Sequence, residues 1–154
     1  MSAHARPPFV LLGLLLLMVA ACASGEPDLS IGDARAATPS GGSSQVLVEV
    51  ANGGDGADTL VGVDSGAAAR VEIHRTEIEE GRASMVELDE VDIPAGETVQ
   101  FRPGSLHLML VAPDETVVEG GTFELVLRFE RTGDVPLDVE VVPLADIVDD
   151  ALPE

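Results

Sequence analysis

Two histidines and two methionines stand apart in this sequence: His74, Met85, His107 and Met109. Ten residues separate His74 from Met85, twenty-one separate Met85 from His107, and a single leucine parts His107 from Met109. The chain holds three histidines and four methionines in all. The others, Met1, His4 and Met18, fall in an N-terminal segment expected to be removed. Two imidazoles and two thioethers, with no thiolate and no obligatory carboxylate, form a soft, neutral donor set suited to Cu(I).

Strand alternation is what would gather them. In Val71-Glu72-Ile73-His74-Arg75-Thr76 a period of two puts Val71 and Ile73 toward the core and Glu72, His74 and Thr76 on the opposite face. A hairpin closing around Glu79 and Glu80 would set Met85 directly across from His74 on that face. In Leu106-His107-Leu108-Met109-Leu110 the leucines share the core face, and His107 and Met109 share the other. A methionine is more often a filler of core gaps, but here both methionines fall off the apolar faces.

The remaining chain reads as a leader, a lead-in and one all-β domain. Residues 1–22 resemble a bacterial lipoprotein signal peptide: Arg6, an apolar run from Phe9 to Val19, then Val19-Ala20-Ala21-Cys22. That run is too short to span a bilayer in a mature protein. Cys22 would be lipidated and become the new N-terminus, and two acyl chains suffice for stable anchoring. The expected location is extracytoplasmic, tethered to the bacterial cell membrane. Residues 23–44 are rich in Ala, Gly, Ser and Pro and read as linker and irregular lead-in, with 29–44 able to supply a first strand. Strands are expected near 45–51, 58–63, 69–78, 83–89, 97–102, 106–111, 121–130 and 137–142, separated by Gly, Pro and Asp turns. The domain at 45–143 is therefore expected to be a Greek-key β-sandwich or barrel, followed by an acidic tail at 144–154. No segment carries a convincing helical period.

A formal charge of −20, with eight arginines and no lysine, argues against nucleic acid as a partner and favours basic protein surfaces. The lone Cys22 excludes an internal disulfide. Gly53-Gly54-Asp55-Gly56-Ala57-Asp58-Thr59-Leu60 fits one copy of a calcium repeat that works only in tandem, so a plain turn is expected there. No nucleophile sits in a recognisable catalytic setting, and an enzyme is not expected.

The spacing His74, x10, Met85, x21, His107, x, Met109 resembles the signature of the periplasmic copper chaperone family called PCuAC. Asp33-Ala34-Arg35-Ala36-Ala37-Thr38-Pro39, Ala57-Asp58-Thr59-Leu60-Val61-Gly62-Val63, Ile93-Pro94-Ala95-Gly96 and Pro103-Gly104-Ser105-Leu106-His107-Leu108-Met109-Leu110 are similar to that family's entry, strand, turn and histidine-bearing runs, the last being one residue longer here before the histidine. The resemblance implies a cupredoxin-like fold, one Cu(I) held near the surface by the four side chains, and delivery to the copper centre of cytochrome c oxidase, through its subunit or a thiol-bearing assembly factor. A monomer is expected. The chain departs from the family in lacking a Trp in its opening run and in carrying Arg75-Thr76 after the first histidine. The competing reading is a metal-free, acidic, immunoglobulin-like lipoprotein module that binds a basic partner.

Overall fold

The computed structural model describes residues 25–149; the signal segment with Cys22 and residues 150–154 lie outside the described residues. Among the described residues, eleven strands and one short helix follow in chain order: β1 (Leu29–Ile31), β2 (Ala34–Ala37), β3 (Ser43–Asn52), β4 (Asp58–Asp64), β5 (Ala68–Glu79), β6 (Arg82–Leu88), β7 (Val91–Ile93), β8 (Thr98–Phe101), β9 (Leu106–Pro113), β10 (Thr122–Phe129), β11 (Gly133–Val142) and α1 (Leu144–Asp149). The all-β expectation holds. Strands neighbour one another in the order β6-β5-β9-β3-β2-β11-β10-β4-β7, with β1 and β8 pairing β3 off that path.

β10 shows why the pattern folds this way. Phe123, Leu125, Leu127 and Phe129 are buried, while Thr122, Glu124 and Arg128 between them are exposed, the alternation of a strand with one face on the core. β3 breaks the rule with three consecutive buried residues, Val46, Leu47 and Val48. Its first half pairs β9 and β2, and its second half pairs β8 and β1. Val46 and Val48 join the main core, and Leu47 packs on the other side with Ala37 and Ile147.

Three local expectations differ from the structure. β7 is a strand too short for a periodic signal, and it pairs β4 with Ile93 opposite Asp58. β11 starts at Gly133 rather than 137, because Pro136 faces Val126 on β10 while the parallel pairing to β2 begins only at Val139, so the missing N–H costs no ladder bond. The segment expected as an acidic tail opens as α1, held by Ile147, which is fully buried. One apolar side chain at the right offset secures it, too little to register as a period.

The glycine-rich turn before β4 is structural. A Cβ on Gly54 would stand 2.2 Å from the Glu26 carbonyl oxygen, and one on Gly56 would stand 2.0 Å from that of Gly25. The glycines admit the lead-in segment against the loop. The Asn52 side chain bonds across it to Gly56 and Ile93. Asp58 is fully engaged by Thr59, Arg131 and Thr132, consistent with the turn expected there.

Candidate metal centre

β5 and β6 are joined by Glu80-Gly81, both with positive φ, 50° and 79°. Two left-handed residues make the two-residue turn whose twist suits a hairpin. This turn centre moves the register from the expected one: Met85 pairs Thr76, and His74 pairs Glu87. The expectation of Met85 directly across from His74 is therefore corrected. The shift is by two residues, which keeps Met85 on the His74 face and places it diagonally, with Cβ atoms roughly 7 Å apart in an ordinary sheet.

On the other side of β5, His74 pairs His107 directly, and Glu72 pairs Met109. His74 thus stands at the centre of a small grid. Glu87 and His107 flank it across the strands, Glu72 and Thr76 along its own strand, and Met85 and Met109 on opposite diagonals. The two imidazoles meet edge to face with ring centroids 5.7 Å apart. All four sequence-predicted donors lie on one face.

Burial grades them in a way the sequence does not show. β9 is an interior strand between β5 and β3, and its non-core face is closed over. His107 is 0% exposed and Met109 9%, whereas Met85, on the edge strand β6, is 58% exposed. His74 is intermediate. The centre is sunk at the β9 end and open at the β6 end.

Hydrogen bonding then assigns the ring nitrogens. His107 Nδ1 lies 3.1 Å from the Ser105 carbonyl oxygen, which can only accept, so Nδ1 carries the proton and Nε2 the lone pair. His74 Nε2 lies 3.0 Å from Glu72 Oε2; a carboxylate accepts, so the proton sits on Nε2. The two nitrogens left over, His74 Nδ1 and His107 Nε2, are buried without any partner. Such an orphan ordinarily costs about 1–3 kcal/mol, and two in adjacent rings are what a ligand would relieve. Burial pushes the His107 pKa below its ordinary value; the Ser105 hydrogen bond opposes this and the nearby His74 adds to it. The ring is thus kept neutral, as a metal ligand must be. Carboxylate or carbonyl partners on the far nitrogen fix ring and tautomer in many metal sites.

Sequence reasoning missed Glu72, Glu87 and Ser105. Strand parity alone puts Glu72 beside His74, but one carboxylate among 28 acidic residues carries no signal. Glu87 needed the correct turn.

The fold is an all-β domain of the cupredoxin-like class, the fold of its neighbours among solved structures, and one sheet face gathers two partnerless imidazole nitrogens with two thioethers beside them. The chain belongs to the family described as "Putative lipoprotein LpqE-like", whose profile matches residues 29–141. Among curated proteins it is similar to "Putative lipoprotein Lxx21020" of Leifsonia xyli, 33% identical over 94 residues covering 60% of this chain and 57% of that protein. "Uncharacterized protein RP573" of Rickettsia prowazekii is 31% identical over 83 residues, covering 53% and 46%. The matches span about half the length of these relatives. Among solved structures, the copper-bound PCuAC domain from PmoF2 superposes with a TM-score of 0.63 at 26% identity, covering 75% of this chain and 92% of that one. The CuI-DR1885 structure from Deinococcus radiodurans gives 0.62 at 22% identity, covering 79% and 83%, a likeness of fold.

Proposed function

We propose that this protein is a copper carrier that holds one Cu(I) through His74, His107, Met109 and Met85 and hands it to a copper-accepting protein outside the cytoplasm. The observation that carries the reading is the pair of buried, partnerless nitrogens with two thioethers on the same face. Thioether and imidazole favour Cu(I), whereas Zn(II) and Cu(II) favour nitrogen, oxygen or thiolate donors. The similarity to a copper-bound PCuAC domain supports it. The protein acts by binding and release, not by catalysis.

Neutral donors hold Cu(I) less firmly than thiolates do, so copper should flow to a site containing cysteines. The copper centre of a cytochrome c oxidase subunit, or a thiol-bearing assembly factor, has that chemistry. The net charge of −20 should speed encounter with a basic docking face, and the rate should fall as salt rises, because exposed charges are screened within about 10 Å at ~0.1 M. The test mixes Cu(I)-loaded protein with a reduced, copper-free, cysteine-containing acceptor and follows copper by size-separated metal analysis. Transfer is expected from the parent and not from a His107→Leu, Met109→Leu variant. Copper remaining wholly on the donor would make storage the better account, and absence of stoichiometric Cu(I) binding would favour the metal-free lipoprotein module.

Tethering is a second expectation, resting on Val19-Ala20-Ala21-Cys22 and on the lipoprotein description of the family. Among the described residues no helix is long and apolar enough to cross a membrane. The parent should fractionate with membranes and Cys22→Ser should lose the lipid, read by mass spectrometry of the N-terminal peptide. A parent protein found soluble with an unmodified N-terminus beyond Cys22 would dismiss the anchor.

Met85 supplies a third expectation. Because it is the most exposed of the four donors and stands on the edge strand, Met85→Leu should weaken Cu(I) less than Met109→Leu does. Competition against a Cu(I) chelator measures both, and the reverse ranking would remove the sunken end of the site from its leading role.

A further inference from the structure

Two carboxylates border His74 that a Cu(I) site does not use. One donor atom from each of Glu72, His74 and Glu87 lies within 4.8 Å of the other two. Glu72 is half-buried and held: Arg70 Nε engages its Oε1, and Oε2 faces His74 Nε2 at 3.0 Å. Glu87 is exposed and directly opposite His74 on β6. Acidic groups at a surface gather without purpose often enough, but this group includes an imidazole. It also adjoins the fully buried His107, whose Nε2 has no partner.

We propose that Glu72, His74 and Glu87 form a position for a borderline divalent cation of the Zn(II) class, so that the same imidazole serves a soft monovalent ion through Nδ1 and a harder divalent ion through Nε2.

The chemistry follows from the donors. Zn(II) takes imidazole nitrogen and carboxylate oxygen at ~2.0–2.2 Å, so the donors of a tetrahedral site sit about 3.4 Å apart. Starting from separations within 4.8 Å, the required contraction is at most about 1.4 Å, which rotation of the exposed Glu87 side chain supplies. Ligation through His74 Nε2 moves its proton to Nδ1, a tautomer change within the neutral ring. Glu72 keeps Arg70 on one oxygen and offers the other. Neither carboxylate attracts Cu(I) as thioethers do, and neither methionine attracts Zn(II). His74 is needed by both ions, so occupancy by one excludes the other. That exclusion, though not the divalent position itself, rests on the copper reading above.

The experiment uses the purified full-length chain, stripped of metal, titrated with Zn(II) against a competing chelator and separately with Cu(I) under reducing, oxygen-free conditions. Zn(II) is expected to bind one to one. Glu87→Gln and Glu72→Gln should each weaken it at least ~10-fold, and Glu87→Gln should leave Cu(I) affinity unchanged. Met109→Leu should do the opposite, weakening Cu(I) and sparing Zn(II). Saturating Zn(II) should reduce Cu(I) loading of the parent protein. Parent-like Zn(II) affinity in Glu87→Gln would overturn the proposal, as would simultaneous binding of both ions to one chain. If the parent fails to bind Cu(I) at all, the copper reading falls on its own arm, and the zinc arm still decides the divalent position.

Discussion

His107→Leu is expected to lower Cu(I) affinity more than ~100-fold while leaving the copper-free protein within about 1 kcal/mol of the parent's stability. The first figure follows because losing a mere supporting partner of a metal ligand already costs ~10–100-fold, and His107 is the most deeply buried donor of the four. The second follows from what leucine does in that place. It is of similar volume, it fits a strand flanked by leucines, and it removes a buried nitrogen that has no partner. The Ser105 carbonyl that loses the imidazole N–H keeps the Thr76 backbone N–H at 3.0 Å, so no acceptor is stranded. A histidine whose replacement costs little stability yet abolishes binding is kept for its lone pair. Chelator competition and urea unfolding of the same preparation read both quantities. Loss of several kcal/mol of stability with copper affinity intact would instead make His107 a packing residue.

How much of this centre could be read beforehand depends on which geometric rule each residue obeys. The period of two in a strand is local, so the common face of Glu72, His74 and Thr76, and that of His107 and Met109, follow from the sequence directly. The hairpin register does not, because it turns on whether Glu79-Glu80 or Glu80-Gly81 takes the two left-handed positions. Gly81 adopts φ 79° freely, and this decides for the second, at the expense of holding Glu80 at φ 50°. Both turns preserve parity, so His74 and Met85 share a face in either, while Glu87 stands opposite His74 only in the second. The burial of His107 was invisible for another reason. It comes from β9 lying between β5 and β3, a long-range arrangement that no local pattern encodes. Likewise β7 and α1 exist through tertiary contacts, β7 through its pairing with β4 and the burial of Val91 and Ile93 in the core, and α1 through Ile147 against Ala37 and Leu47.

Away from the metal centre, Asp58→Ala is expected to destabilise the protein by about 3 kcal/mol at neutral pH. Asp58 is 2% exposed, and its two oxygens accept from Thr59 N at 2.8 Å, Arg131 N at 2.9 Å, Thr132 N at 2.9 Å and Thr132 Oγ1 at 2.6 Å. It ties the turn between β10 and β11 to the start of β4, and its removal strands backbone donors that water reaches poorly. Desolvation raises its pKa, but the Thr132 hydroxyl and the three backbone N–H groups outweigh that, and the net position is below the ordinary 3.8. The sign of the pH dependence follows. A carboxyl with a folded pKa beneath its unfolded one contributes its full stability above the unfolded value, near ~3.9, and loses it as pH falls through the folded value. The gap between parent and Asp58→Asn, which keeps the shape but not the charge, should therefore be widest at pH 7 and narrow on acidification below ~3.9. Urea midpoints across that range measure it. Cu(I) affinity should not change in either variant, because the hydrogen bonds of Asp58 run to Thr59, Arg131 and Thr132 and to no residue of β5, β6 or β9. A pH-independent gap would show that the four hydrogen bonds act through shape alone, and a parent-like midpoint for Asp58→Ala would remove this carboxylate from the architecture that holds the β10–β11 turn.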